Sequence, residues 1–123
     1  MDTLTEMAKS NAKVLIICSA YNQEGYIADA LKGFVSQKTS FPFLALVHDD
    51  ASTDSTASII REFESHYPET IKGIYETENQ YQQGHYFWYL PYLRKSGAKY
   101  LALCEGDDYW TDPEKLQKQY DVL

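Results

Sequence analysis

The feature that most constrains the fold is a set of four short apolar runs, separated by segments with helical periodicity. The runs are continuous rather than alternating, which is typical of strands covered on both faces of a parallel sheet. The pattern predicts an α/β fold, with a mainly parallel sheet, helices on both faces and right-handed crossovers. The runs are VLIICSA at 14–20, FLALVHDD at 43–50, IKGIYET at 71–77 and YLALCEG at 100–106.

Three helices are predicted between and after these runs from apolar residues spaced three and four positions apart. The last helix is expected to have Asp112 as its N-cap and Pro113 at its first helical position. The aromatic-rich segment 84–97 forms at most a short helix, which Pro91 should kink or end. We expect its aromatic side chains in the core or in an interface. The first two stripes are Ile27, Leu31, Phe34 and Val35, then Ile59, Ile60, Phe63 and Tyr67.

Length and charge exclude several classes of protein. A chain of 123 residues is long enough for one core, and we divide it into an N-terminal extension at 1–12 and a domain at 13–123. The net charge of -7 argues against nucleic-acid binding, which needs a basic face. No apolar run approaches the roughly 20 residues that span a bilayer, and the N-terminus does not resemble a signal peptide. We expect a cytoplasmic protein, with a peripheral position at the inner membrane for the full-length form.

Polar residues follow three of the four predicted strands. Ligands of open α/β sheets bind beyond the carboxyl ends of the strands, and parallel strands bring those ends to one edge. We therefore expect the three groups to converge there. They are Ser19, Tyr21, Asn22 and Glu24; then His48, Asp49, Asp50, Ser52, Thr53 and Asp54; then Glu105, Asp107 and Asp108.

Two interpretations remain open for the second group. Ser52 or Asp54 is suited to cap the helix that carries Ile59 and Ile60. Capping explains Asp50 less well, because Asp50 stands where the strand leaves the core. A carboxylate there could accept hydrogen bonds from a ligand, as acidic residues near strand ends do for ribose.

The third group, EGDD at 105–108, is either a solvated acidic turn or a metal site. Clusters of oxygen ligands without sulfur suit Mg²⁺ or Mn²⁺. A site with one or two carboxylates leaves coordination positions for diphosphate oxygens, whose charge the metal neutralises. Two interpretations also remain open for Tyr21: it is either a surface aromatic or a face on which a nucleobase stacks.

Three stretches together carry a resemblance: VLIICSAYNQEGYIADAL, LVHDDASTDSTASII and KYLALCEGDDYWTDPEKLQKQ. In this order they resemble the family 2 glycosyltransferases of GT-A fold. The middle stretch is similar to the family's V-D-D-x-S-T-D-x-T pattern. The last is similar to its D-x-D-type metal motif, in a form common in bacterial surface-polysaccharide and lipopolysaccharide enzymes. The resemblance implies metal-dependent, inverting transfer of a sugar from a nucleotide diphosphate to an acceptor hydroxyl.

The resemblance also implies roles for individual residues. The donor nucleotide, a UDP-sugar by preference, is expected at Ser19, Tyr21, Glu24, Asp50, Glu105 and Asp107, with Asp50 on the base. A Mn²⁺ or Mg²⁺ ion is expected at Asp108 and Asp107, with Asp108 as the first direct ligand.

This sequence departs from the family pattern in two respects. The family's arginine before the fourth strand is missing, and Arg94 is only a weak substitute. Nothing matches the catalytic base, which we expect beyond Leu123, so this chain alone should be inactive.

The acceptor is expected to be a glycan or a lipid-linked molecule. The alternative is a non-catalytic nucleotide-binding or protein-interaction module of the same fold.

Two structural expectations complete the sequence-based view. The family's sheet order makes the first and fourth strands neighbours, so Cys18 and Cys104 should lie close together and remain thiols. An uncovered sheet edge makes self-association plausible.

Overall fold

The structure, a computed structural model, describes residues 3–123. The strands are β1 (Val14–Ala20), β2 (Phe43–Asp49), β3 (Ile71–Tyr75) and β4 (Tyr100–Leu103). The helices are α1 (Thr3–Ala8), α2 (Ile27–Val35), α3 (Thr56–His66), α4 (Leu90–Ser96) and α5 (Lys115–Val122). The strands form one parallel sheet in the order β3-β2-β1-β4. This confirms the predicted α/β class and the pairing of the first and fourth strands.

Helices α2, α3 and α5 cover one face of the sheet. Phe34 of α2, Ile60 of α3 and Leu116 of α5 pack against Ile16 and Val47 of the central strands. These side chains are almost completely buried. Burying a side chain such as Phe34 stabilises the fold by about 1.5–3 kcal/mol. The continuous apolar runs are therefore explained by burial on both faces.

Helices α1 and α4 cover the other face. Met7 of α1 is 1% exposed, so the predicted N-terminal extension contains a helix that contributes to the core. The extension's residues 1 and 2 lie outside the described residues. Trp88, Tyr89 and Tyr92 pack on this face, which confirms that part of the aromatic segment is core. Phe87 is 64% exposed, so this ring lies outside the core, and its expected place in an interface stays a prediction.

Two predicted helix boundaries were wrong. Pro91 lies in the first turn of α4 rather than at its end, where the N–H that proline lacks would have no helical partner. Helix α5 begins at Lys115, because Pro113 and Glu114 form a turn before it. Asp112 still serves this turn, since its carboxylate accepts a hydrogen bond of 2.9 Å from the Glu114 amide.

Strand β4 is an edge strand and leaves apolar surface exposed. Leu101 and Leu103 are 38% and 67% exposed, on the face that α1 and α4 cover elsewhere. At its carboxyl end the Cys104 amide donates to the Ile17 carbonyl at 3.0 Å. Cys104 therefore lies beside Cys18, and both are buried free thiols, as predicted.

Candidate functional site

The three polar strand ends meet at the carboxyl edge of the sheet, as the sequence predicts. Ser19 and His48 are paired in register on β1 and β2. The Gly106 amide, three residues after β4, donates to the Ser19 carbonyl at 3.1 Å. The parallel register and this hydrogen bond bring the three groups together.

The loops after β1 and β2 are joined by reciprocal hydrogen bonds. The Asn22 amide donates to Ser52 Oγ at 3.0 Å, and the Thr53 amide donates to Asn22 Oδ1 at 2.8 Å. Asn22 has a φ of 50°, a left-handed conformation that asparagine tolerates better than most residues. Of the two residues expected to be suited to cap α3, Ser52 therefore joins the two loops instead.

Glu24 and Asp54 form a second reciprocal pair. Glu24 Oε2 accepts from the Ser55 amide at 3.0 Å, and Asp54 Oδ2 accepts from the Glu24 amide at 3.3 Å. Asp54 Oδ1 also accepts from the Thr56 amide at 2.9 Å, so Asp54 caps the first turn of α3. Desolvation acts to raise the pKa of Asp54, but hydrogen bonds from Thr56 outweigh it and hold the pKa below its usual value. Glu24 thus faces the start of α3.

Asp50 holds the segment that follows β3. It is 6% exposed, and its carboxylate oxygens accept from the amides of Gln80 at 2.6 Å and Tyr81 at 3.1 Å. Its carbonyl accepts from Asn79 Nδ2 at 3.2 Å. We call residues 79–88 the strap, because hydrogen bonds tie it across the ends of β2 and β1. A carboxylate has about four lone-pair positions, so two remain for other donors.

A cavity of about 250 Å³ lies at the ends of β1 and β2. We call it the first compartment. Four of its lining residues were predicted as nucleotide ligands: Ser19, Tyr21, Asp50 and Glu105. The rest of its polar lining comes from Gln23 and from the strap residues Asn79, Tyr81 and Gln82.

A second cavity of about 240 Å³ adjoins the first, and we call it the second compartment. The two share Ser19, Asp50, Tyr81 and Glu105. The remaining lining residues are His48, His85, Tyr86 and Trp88. All but His48 of these four belong to the strap, so the strap borders both compartments.

Trp88, which lines the second compartment, is held by two contacts. Its indole N–H donates to Ser19 Oγ at 2.9 Å, and its ring stacks on His48 with centroids 4.3 Å apart. His48 is 2% exposed, and neither of its ring nitrogens has a hydrogen-bond partner within residues 3–123. Desolvation lowers the pKa of His48 despite the opposing charges of Asp50 and Asp49. Burial therefore favours the neutral imidazole, and the Glu76 carboxylate at 3.8 Å is too distant to hydrogen-bond with it.

The segment 105–109, which we call the carboxylate loop, is held at both ends. A Cβ at position 106 would displace Gln23 Oε1 and lie 3.0 Å from Ala20 Cβ, so glycine lets the loop approach the end of β1 closely. Downstream, Trp110 packs edge-on against Phe34 with centroids 5.0 Å apart. Both anchors leave the middle of the loop projecting into solvent.

Asp107 and Asp108 are the exposed carboxylates of this loop. No ion pair joins either of them to a cationic side chain within residues 3–123. Neither lines the two compartments, although Glu105 at the start of the loop lines both. The part of the carboxylate loop that carries Asp107 and Asp108 therefore lies beside the compartments rather than inside them.

The donor set of the loop fits a hard divalent cation only if a ligand completes the coordination. Two adjacent carboxylates supply oxygens of the type that Mg²⁺ and Mn²⁺ prefer. In the described part of the chain no group of three or more His, Cys, Asp or Glu side chains is arranged to hold a metal. Asp107 and Asp108 can therefore hold such an ion together with diphosphate oxygens, but not as a complete protein site.

The two cysteines nearby are unsuited to chemistry as thiolates. Burial, the neighbouring Cys104 and the charges of Glu105 and Asp107 raise the pKa of Cys18. Burial and the charge of Asp108 raise the pKa of Cys104 to about 11. Because the thiolate is the nucleophile and metal ligand, both cysteines are core residues.

Comparison with known proteins identifies the class to which this fold and site belong. Residues 15–123 match the model of glycosyl transferase family 2. The chain belongs to this family.

Individual proteins and solved structures are also similar to this chain. The uncharacterized protein Rv1520 of Mycobacterium tuberculosis is 46% identical over 108 residues, which are 88% of this chain and 30% of Rv1520. Staphylococcus aureus TarS (1–349) in complex with UDP superposes with a TM-score of 0.66 and 24% identity, over 89% of this chain and 31% of TarS. The mannosyltransferase PcManGT of Pyrobaculum calidifontis, in complex with GDP-Man and Mn²⁺, has a TM-score of 0.69 and 24% identity, over 89% of this chain and 31% of PcManGT. The chain thus spans about a third of the length of these proteins.

In its described part no helix is long and apolar enough to cross a bilayer.

Sequence reasoning missed the contribution of the strap. Asn79, Tyr81 and Gln82 line the first compartment, and Trp88 lines the second. No local motif marks them, because hydrogen bonds to Asp50 and Ser19 bring them to the sheet edge. The density of aromatic residues in this segment was the one signal available.

Proposed function

We propose that this chain is the donor-binding part of a metal-dependent, inverting glycosyltransferase. Its enzyme would transfer a sugar from a nucleotide diphosphate to a hydroxyl of a glycan or lipid-linked acceptor, in polysaccharide or lipopolysaccharide synthesis. One observation carries the proposal. In a chain of glycosyl transferase family 2, a polar compartment bordered by Asp50 and an adjoining loop of exposed carboxylates meet at one sheet edge.

The lining residues suggest a role for each part of the nucleotide. Tyr21 offers an aromatic face on which a base can stack. The free lone pairs of Asp50 would accept a hydrogen bond from an N–H of that base, and the Glu105 carboxylate would accept hydrogen bonds from the ribose hydroxyls; both residues line the first compartment. Ser19 has its hydroxyl oxygen engaged by Trp88 and retains its own O–H as a donor. Glu24 supports this site indirectly, because its carboxylate holds the start of α3.

Asp107 and Asp108 would hold a Mn²⁺ or Mg²⁺ ion against the diphosphate. When bound, the ion would supply a Lewis acid that offsets negative charge on the departing nucleoside diphosphate. The complexes of TarS with UDP and of PcManGT with GDP-Man and Mn²⁺ support a nucleotide donor and a divalent ion. We favour a UDP-sugar. The general base is expected beyond Leu123, so the chain alone should bind donor without transferring sugar.

Isothermal titration tests this proposal. UDP, GDP and dTDP are titrated into the chain with Mn²⁺ and then with EDTA. We expect at least one nucleotide to bind, and to bind at least about tenfold more tightly with Mn²⁺, a difference of about 1.4 kcal/mol. Binding that is insensitive to Mn²⁺, or no binding of any of the three, would contradict the proposal.

A second candidate is a protein-interaction module that retains the fold. The observation in its favour is the exposure of Phe87 and Tyr86 on the strap, at 64% and 53%. A melting temperature unchanged by every nucleotide, with and without Mn²⁺, would favour this candidate. A rise in melting temperature with nucleotide would favour the donor-binding function.

A further inference from the structure

The two compartments share an unusual electrostatic character. Both are bordered by the carboxylates of Asp50 and Glu105, and neither is lined by a lysine or arginine of the described residues. Anionic groups are repelled by such a lining, whereas hydroxyl and N–H donors are attracted. Each compartment therefore suits a neutral, hydrogen-bonding group and excludes phosphate.

The arrangement of the compartments matches a ligand of three parts. Each cavity, of about 250 or 240 Å³, is smaller than the roughly 300 Å³ at which ligand pockets usually begin. They share Ser19, Asp50, Tyr81 and Glu105, and Glu105 is the first residue of the carboxylate loop that carries Asp107 and Asp108. A nucleotide sugar has parts of the same three kinds: a neutral nucleoside, an anionic diphosphate that binds metal, and a hydroxylated end group.

The second compartment has the chemistry of a site for a hydroxylated ring. Tyr86 lies against Tyr81 with centroids 4.9 Å apart, and Trp88 provides a further aromatic surface. Aromatic faces pack against apolar C–H surface, and carboxylates accept hydroxyl hydrogen bonds. His48 adds a buried imidazole with two unpartnered nitrogens, which is uncommon for buried polar groups.

We propose that the second compartment binds the glycosyl ring of the donor and selects neutral sugars over uronic acids. This inference rests on the proposed function, because it assumes that the nucleoside occupies the first compartment. The selection comes from Asp50 and Glu105, whose charges oppose a sugar carboxylate in a compartment that no lysine or arginine of the described residues lines.

A comparison of the affinities of paired sugar nucleotides tests the proposed selection of neutral sugars. UDP-glucose and UDP-glucuronic acid, or GDP-mannose and GDP-mannuronic acid if GDP binds better, are titrated with Mn²⁺ at pH 8. This pH is above the range near 6.5 in which histidine ordinarily titrates. We expect the uronic acid form to bind at least about tenfold more weakly than the neutral form. Equal affinity, or tighter binding of the uronic acid form, would overturn the inference.

Two variants locate the effect in the second compartment. Tyr86→Ala removes an exposed ring, and should weaken the neutral sugar nucleotide about fivefold while leaving UDP or GDP unchanged. Glu105→Gln removes a charge, and should reduce the discrimination against the uronic acid to less than about threefold. Tyr67→Ala is the matched control, because Tyr67 is 44% exposed at the far end of α3.

The outcomes separate the two proposals. Metal-dependent binding of UDP or GDP, with neither discrimination nor an effect of Tyr86→Ala, would overturn the inference and leave the proposed function standing. Failure of every nucleotide to bind would overturn both. A loss of UDP binding in Tyr86→Ala, with an unchanged melting temperature, would place the nucleoside rather than the sugar beside this ring and also overturn the inference.

Discussion

Two pairs of aspartates stand at the same edge of this sheet and have opposite environments. Asp49 ends β2 and Asp50 follows it, at 3% and 6% exposure, and the Asp50 carboxylate accepts two backbone hydrogen bonds from the strap. Asp107 and Asp108 follow β4, are exposed, and have no cationic partner within residues 3–123.

The difference in burial separates two roles. The Asp50 carboxylate holds the strap in place, whereas the carboxylates of Asp107 and Asp108 are free to bind a ligand. A buried charge is tolerated only when hydrogen bonds compensate its lost hydration, and the strap amides provide that compensation for Asp50. Exposed carboxylates retain their water and need no protein partner. We therefore expect substitutions at Asp50 to affect stability and binding together, and substitutions at Asp108 to affect metal-dependent binding alone.

Asp50→Ala should have the largest effect on stability. Removing the carboxylate leaves the Gln80 and Tyr81 amides without acceptors, and we expect the free energy of unfolding to fall by about 2–3 kcal/mol. Urea denaturation measures this loss, and hydrogen exchange should accelerate at those two amides. Nucleotide binding should weaken with and without Mn²⁺.

Two further variants serve as controls for Asp50→Ala. Asp50→Asn retains one acceptor oxygen and should lose about half as much stability. Glu69→Ala removes an exposed charge at the opposite edge of the sheet, and should change stability by less than about 0.5 kcal/mol. If Asp50→Ala is as stable as Glu69→Ala, the strap is not anchored as described.

His48→Phe should raise the free energy of unfolding. This effect is smaller than that of Asp50→Ala and opposite in sign. Phenylalanine can keep the stacking on Trp88 and removes two nitrogens that have no partner in the described residues. We expect a gain of about 1 kcal/mol at pH 7.5. No gain, or a loss, would mean that the imidazole is already satisfied in solution.

The same variant should change the pH dependence of stability. Desolvation lowers the pKa of His48 in the folded state, so the unfolded chain binds more protons between that pKa and about 6.5. The wild type therefore loses stability as the pH falls below about 6.5, and His48→Phe should lose less. Glu76, whose pKa is raised by desolvation and by Asp50, acts in the opposite direction and is present in both proteins. Urea denaturation at pH 7.5 and 5.5 measures the difference, with His66→Phe as the exposed control.

The sheet could be predicted from the sequence because its signal is local and repeated. Runs such as VLIICSA need cover on both faces, and parallel strands then bring their polar ends to one edge. The convergence of Ser19, Asp50 and Glu105 on one compartment follows from this topology.

The strap could not be predicted, because its position depends on contacts distant in sequence. Trp88 reaches Ser19 across 69 positions, and the amides of Gln80 and Tyr81 reach Asp50 across about 30. Backbone amides carry no sequence signal, so the sequence could not show that amides of the strap already donate hydrogen bonds to the Asp50 carboxylate. The orientation of Glu24 toward α3 was hidden for the same reason.

Asp108→Ala should have the smallest effect on stability and a clear effect on binding. The side chain is exposed and has no ion pair in the described residues, so we expect unfolding free energy to change by less than about 0.5 kcal/mol. Because Asp108 is our first choice of metal ligand, the affinity for nucleotide should become equal with Mn²⁺ and with EDTA. Glu69→Ala should keep the metal dependence of the wild type. Retention of that dependence in Asp108→Ala would assign the ion to Asp107 or Glu105, whereas a large loss of stability would show that the carboxylate loop supports the fold as Asp50 does.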